Sequence, residues 1–303
     1  MTMPETDSPE QQAGPERIAK RLARAGLCSR RDAERWIADG RVAVNGVVLT
    51  SPAVTVGPKD QIVVDGNPLP DLEPTRLWRY HKPDGLVTSA RDEKGRQTVF
   101  DVLPEDLPRV ISVGRLDLTT EGLLLLTNDG ELARRLELPS TGWVRRYRVR
   151  VHGEVDQTQL AQLAKGITVE GVRYSGIEAT FDRKQGDNVW LTMALTEGKN
   201  REIRNICGHF GWPVSRLIRI AYGPFQLGSH LNPGDIEEVP AKVLREQVGA
   251  NQVHKVSGQL KLKQTPHGER AREKPRTDKP RSDKSHADKP RGERRHKPKR
   301  HAH

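Results

Sequence analysis

Gly114-Arg115-Leu116-Asp117-Leu118-Thr119-Thr120-Glu121-Gly122, running into Leu123 to Leu126 and closed by Thr127-Asn128-Asp129-Gly130, sets a carboxylate in front of an apolar, strand-like run. With Arg115 to Asp117 extended, the two-residue period of a strand puts Arg115 and Asp117 on one face and Leu116 and Leu118 on the other. An acid then stands beside a base. Taken alone, the segment has two readings: a catalytic carboxylate, or an Asp that orders a turn with Arg115 as its surface salt-bridge partner.

Working outward, similar short apolar runs lie between Gly and Pro signals at Leu77 to Tyr80, Val110 to Val113, Tyr147 to Val151 and Val189 to Leu195. Helical patterns interrupt them at Thr158 to Ala164, Arg201 to Phe210 and Pro213 to Ile220. This alternation predicts an α+β domain built on a mixed, largely antiparallel sheet over residues 74 to 245. Asn67 to Pro74, with three prolines in eight residues, reads as a linker before it.

A smaller domain is expected over residues 15 to 73. Ile18, Leu22 and Ala25 form one helix stripe, and Arg17, Lys20, Arg21 and Arg24 form another. Gly26 is placed to end that helix. Ser29, with Asp32 three residues on, has the spacing of a capping box for a second helix, which carries Arg30 and Arg31 and turns Ala33, Trp36 and Ile37 inward before Gly40. Val42 to Leu49 reads as a hairpin closed by Asn45-Gly46, and Gln61 to Asp65 as a further strand. A cationic helix face is usually just solvated, so the stripe points to nucleic acid only together with the hairpin that follows it.

Of the 303 residues 51 are Lys or Arg and 40 are Asp or Glu, a formal net charge of +11. Lys255 to His303 holds 17 basic and 6 acidic residues, so the excess sits there and the rest is balanced. That segment, with repeated Lys-Pro-Arg units and almost nothing apolar, reads as a disordered tail that seeks polyanions. Residues 1 to 14 read as a disordered leader. Nothing reads as a signal peptide or membrane span. Cys28 and Cys207 lie far apart and lack zinc-site spacing, which fits a reduced cytoplasmic setting.

Four segments carry a resemblance. Lys82-Pro83-Asp84-Gly85, Gly114 to Asp117, Arg146-Tyr147-Arg148-Val149 and Glu197-Gly198-Lys199-Asn200-Arg201-Glu202-Ile203-Arg204 occur in the order found in the RsuA/RluB family of ribosomal RNA pseudouridine synthases, and Val214 to Gly223 closes the match. Residues 15 to 73 resemble the RNA-binding domain of ribosomal protein S-four. The match looks closer to the large-subunit RluB type than to the small-subunit RsuA type.

The resemblance implies site-specific isomerisation of uridine to pseudouridine in ribosomal RNA, 23S rather than 16S. It makes Asp117 the essential residue, Tyr147 the active-site tyrosine and Lys199 the basic partner of Asp117. Lys82 to Gly85 would help shape the site's floor, although Lys-Pro-x-Gly by itself is a common turn. Arg115 becomes a candidate for insertion where the uridine leaves its stack. RNA contacts are expected from Arg17, Lys20, Arg21, Arg24, Arg30, Arg31, Arg115, Arg201 and Arg204; Asn205 stands where relatives often have a second arginine.

The reaction leaves composition unchanged, so no cofactor and no metal are expected. The partner would be ribosomal RNA or an assembling ribosomal subunit, the protein a monomer. The competing readings are a non-catalytic ribosome-assembly or RNA-chaperone protein, and a carboxylate-dependent glycosidase or nuclease, for which no paired acidic motif or metal-ligand cluster stands out.

Overall fold

The computed structural model describes residues 14–249. The leader, apart from Gly14, and the cationic tail lie outside the described residues.

At the N-terminal end, helices Ile18–Arg24 and Arg30–Ala38 pack on a four-stranded sheet ordered Val47–Val48, Val42–Val44, Ile62–Val64, Asn67–Pro68. The Ser29 hydroxyl accepts from the Asp32 N–H at 3.1 Å while the Asp32 side chain reaches back to Ser29, the reciprocal cap expected from the spacing. Asn45 and Gly46 close the first hairpin at φ 51° and 83°, the left-handed pair that a two-residue turn requires. Asp65 and Gly66 repeat this at φ 50° and 79°, and lead straight into Asn67–Pro68. The expected linker therefore begins as a paired strand, with its proline tolerated at the sheet edge. Ile18, Leu22, Ala33, Ile37 and Val42 are completely buried between the layers.

The larger part is a nine-stranded mixed sheet. Its main path runs Glu178–Gln185, Asn188–Leu195, Arg145–His152, Val214–Tyr222, Thr120–Thr127, Leu77–Lys82, Ile236–Glu238, with Ile111–Val113 and Phe225–Gln226 paired off it. All neighbours are antiparallel except Val214–Tyr222 beside Thr120–Thr127, which are parallel. The α+β class and the largely antiparallel sheet are as expected.

Pro213 to Ile220 is a correction: the segment is the strand Val214–Tyr222, not a helix. Arginines and aliphatics three and four apart imitate a helix face. The strand's own signal, Leu217 and Arg219 alternating with Arg216 and Ile218, is masked because Arg219 is buried like an apolar residue. A second correction concerns Arg115 to Asp117, which form a loop rather than a strand; the strand begins at Thr120. The alternation survives in the loop, with Leu116 buried, Arg115 exposed and Asp117 half-buried.

Gly122 lets the two parallel strands approach. Its φ is 100°, and a Cβ there would lie 2.3 Å from the Arg219 carbonyl oxygen. Helices Gln157–Gln162 and Glu202–His209 cover one sheet face with Leu160, Ile203, Ile206 and Cys207 over Val149, Leu191 and Met193. Helices Gly130–Glu137 and Ala241–Val248 cover the opposite face of the other half, over Leu123 and Leu125. Trp78, Tyr80, Leu116 and Leu124 pack under the connection that follows Leu77–Lys82. Tyr147 lies at the seam between this last cluster and the first.

Candidate active site

The loop that carries Asp117 sits at that seam, just before the parallel strand pair. Every backbone carbonyl from Leu116 to Thr120 has a donor. Leu116 accepts from the Thr88 hydroxyl at 2.9 Å and Asp117 from the Thr120 N–H at 3.1 Å. Leu118 accepts from the Gly85 N–H at 3.0 Å and from Lys82 Nζ at 3.2 Å. Thr119 accepts from Arg204 Nη2 and Thr120 from Lys82 Nζ, both at 2.9 Å. A loop held at each carbonyl has little freedom left, so the Asp117 side chain is aimed by its backbone.

Lys82 does much of this holding. It is completely buried, follows Trp78 and Tyr80 on the same strand face, and also donates to the Pro83 carbonyl at 2.9 Å. Burial pulls its ammonium pKa down to about 8, against the opposing pull of Asp84, Glu121 and Asp117. The Lys-Pro-x-Gly segment is thus more than the common turn it resembles. Alternation with two buried aromatics was the available signal.

Asp117 opens into a cavity of about 550 Å³ lined also by Arg115, Tyr147, Lys199, Arg201, Glu202 and Arg219. The carboxylate side chain is 33% exposed, and Arg201 Nη1 lies 3.6 Å from its Oδ2. Arg201 is itself unusual: it precedes helix Glu202–His209 with φ 50°, a left-handed conformation that costs a non-glycine residue about 1–2 kcal/mol. Behind it Glu202 is buried and accepts the Lys199 N–H at 2.9 Å through Oε2, while its Oε1 has no partner. Burial is the main reason its carboxyl pKa is pushed up to about 7; Glu197 adds to the rise, and the Lys199 N–H bond and the charges of Lys199 and Arg145 oppose it.

The pairing expected for Lys199 is therefore corrected. Lys199 lines the cavity, but its ammonium goes to Glu197 Oε2 at 2.9 Å and lies 5.7 Å from the Tyr174 ring centroid. The two side chains differ in direction because the backbone reverses at Arg201. Arg204, half-buried and bonded to the Thr119 carbonyl, holds the Asp117 loop from below. Arg115 is exposed on the cavity wall. Arg219, 2% exposed, also lines the cavity while its Nε donates to the Leu123 carbonyl at 2.7 Å; nothing in the apparent helical pattern revealed it.

Around helix Ile18–Arg24 the picture differs from the expected open stripe. Arg24, Lys20 and Arg21 converge on Glu16 at 2.9, 3.4 and 3.7 Å, and Lys20 also meets Glu131. Arg17, Arg30 and Arg31 are exposed and carry no ion pair among the described residues. Among those residues no group of three or more His, Cys, Asp or Glu could hold a metal ion, and no helix is long and apolar enough to cross a membrane.

Comparison with known proteins gives this geometry its context. Residues 76–209 match the family model described as RNA pseudouridylate synthase, and residues 16–62 match the S4 domain. An uncharacterized RNA pseudouridine synthase of Rickettsia bellii is 48% identical over 230 residues, 76% of this chain and 99% of that one. The ribosomal large subunit pseudouridine synthase B of Pseudomonas aeruginosa is 42% identical over 259 residues, 82% of this chain and 67% of that one. Its namesake in Haemophilus influenzae is 43% identical over 243 residues, 77% of this chain and 68% of that one. A crystal structure of pseudouridylate synthase shares 26% identity at a TM-score of 0.54, covering 77% of this chain and 99% of its own.

Proposed function

The chain belongs to the RNA pseudouridylate synthase family, and from that membership we propose that its substrate is a uridine of large-subunit ribosomal RNA, isomerised in the cavity around Asp117. The observation that carries this reading is the carboxylate on a loop bonded at every carbonyl from Leu116 to Thr120, with Tyr147 lining the same cavity and Arg201 at 3.6 Å. The large-subunit assignment is supported by the names of the Pseudomonas and Haemophilus relatives.

The bond from uracil N1 to ribose C1′ breaks and one from C5 to C1′ forms; C5 loses a proton and N1 gains one. Asp117 serves this chemistry as an ionised carboxylate, by attack at C1′ or by proton removal at C2′. Arg201 supplies the adjacent positive charge. Tyr147, which lines the cavity, packs against the extruded base and assists proton removal at C5. A base inside folded RNA leaves its stack at a cost of roughly a few kcal/mol, and exposed Arg115 fills the vacated space. Arg17, Arg30 and Arg31 grip RNA beside the cavity domain. The protein works as a cytoplasmic monomer, without cofactor or metal.

Mapping pseudouridines in ribosomal RNA from wild-type, deletion and complemented cells tests this. The expected result is one or a few 23S positions lost on deletion and restored by the wild-type gene but not by Asp117→Asn. Loss confined to 16S RNA, or no lost position, contradicts it.

A further inference from the structure

The face of the sheet opposite the cavity carries a row that the proposed chemistry does not use. Strand pairing aligns Arg183 with Trp190, Trp190 with Arg150, and Arg150 with Arg216, one residue from each of four neighbouring strands. Paired residues share a face, so the row runs straight across the sheet. Arg146 and Arg148 precede Arg150 at alternate positions of its strand and therefore project the same way, about 6.7 Å apart along it. Tyr147, between them, points to the other side, into the cavity.

Only part of the charge in this arrangement is met within the chain. Arg150 and Arg216 are like charges directly opposite each other on neighbouring strands, a destabilising pair. Two acids offset part of the charge: Glu121 holds Arg216 with two bonds of 2.8 Å, and Asp182 lies 3.9 Å from Arg148. Glu178 lies at the end of the row that contains Arg146. Arg146, Arg150 and Arg183 have no ion pair among the described residues. Trp190 forms a platform beneath the patch, with the Arg148 guanidinium 4.9 Å and the Arg150 guanidinium 5.9 Å from its ring centroid. Arg150 Nε donates to the Ser215 hydroxyl at 2.9 Å, which leaves the terminal nitrogens of its guanidinium for a phosphate. The helices that cover this face lie over the Leu123 and Leu125 half. Helices Gln157–Gln162 and Glu202–His209 lie on the other side.

We propose that the Arg146, Arg148, Arg150, Arg183 and Arg216 face is a second RNA-binding surface, which takes the sugar-phosphate backbone of a helix flanking the modified loop. This deepens the proposed function and rests on RNA being the substrate. The occupant follows from charge: five arginines around an aromatic platform suit a polyanion, and a surface on the far side of the sheet reads no base in the cavity. Because one small stem-loop cannot occupy both faces, the surface contributes to large structured substrates and not to turnover of minimal ones.

The test uses the full-length protein and a uridine-free RNA duplex as probe. In Arg146→Gln/Arg150→Gln/Arg183→Gln, duplex affinity should fall at least about tenfold and the slope of log affinity against log salt by roughly two to three, one unit or slightly less per lost phosphate contact. The matching triple Lys variant, which keeps the charge but not the fork, should keep most of the slope and part of the affinity, and pseudouridine formation at saturating ribosomal RNA should keep its maximal rate in each. Affinity and slope within about twofold of wild type would overturn the proposal, as would an equal loss in the Lys variant, which would make the effect one of packing. Unchanged duplex binding with lost turnover on assembling subunits would assign the face to a protein partner, and also overturn it. A wild-type protein that forms no pseudouridine would instead count against the proposed function.

Discussion

The two walls of the cavity are built by opposite means. The Asp117 wall is tied at every carbonyl from Leu116 to Thr120 by donors behind it, among them the completely buried Lys82 and the half-buried Arg204. The Arg201 wall is held by one residue in a left-handed conformation and by a buried acid, Glu202, with an oxygen left unpartnered. One wall is fixed by satisfied hydrogen bonds, the other by local strain. The carboxylate should therefore keep its place over a wide range of conditions, while its cationic partner depends on the protonation of Glu202 and on backbone choice at a single position.

Lys82→Met should break this contrast most severely. It removes an ammonium that serves three carbonyls, and leaving buried acceptors unmet costs about 1–3 kcal/mol for each that finds no other donor. We expect a lower midpoint of thermal unfolding together with a loss of rate, since the Asp117 loop loses its anchor. Unchanged rate and stability would show that the loop is held by other means.

Arg201→Gly should separate the second wall's two properties. Glycine accepts the left-handed conformation, so unfolding should be slightly harder, by about 1 kcal/mol, while loss of the charge beside Asp117 lowers the rate by about a hundredfold. Arg201→Lys should recover part of the rate and none of the stability. A loss of stability in the glycine variant would mean that the Arg201 side chain, not its backbone, holds this wall.

A third effect concerns pH. The folded-state pKa of Glu202, about 7, lies above its ordinary value of 4.5, so between these the folded protein binds more protons than the unfolded chain. This contribution to stability is complete below pH 4.5 and is lost as pH rises to about 7. Glu202→Gln, which can still accept the Lys199 N–H, should flatten that part of the stability profile. An unaltered profile would show that Glu202 is not the group responsible.

The same contrast explains what the amino-acid sequence disclosed. The capping box at Ser29 is legible because it rests on a local spacing, whereas Asp117 and Tyr147, which line one cavity, are singled out by the family resemblance. The parallel strand Val214–Tyr222 was read as a helix because a buried arginine, Arg219, occupies a position where an apolar residue would have exposed the strand period. The resemblance makes Lys199 the partner of Asp117, but both Lys199 and Arg201 line the cavity and only Arg201, left-handed at φ 50°, reaches the carboxylate. Lys20, Arg21 and Arg24 form a cationic stripe that points to nucleic acid only together with the hairpin, yet Glu16, at the start of the same segment, draws all three together. The charges that matter most here are those whose partners lie far away in the chain, and local pattern does not show them.

The most direct test of the central claim is single-turnover pseudouridine formation by Asp117→Asn on ribosomal RNA, with RNA affinity measured alongside. Asparagine keeps the shape of the side chain and leaves the backbone ties intact, so affinity should stay near wild type while the rate falls by about 10²- to 10⁴-fold. Turnover within about tenfold of wild type would contradict the assignment of Asp117 as the catalytic group.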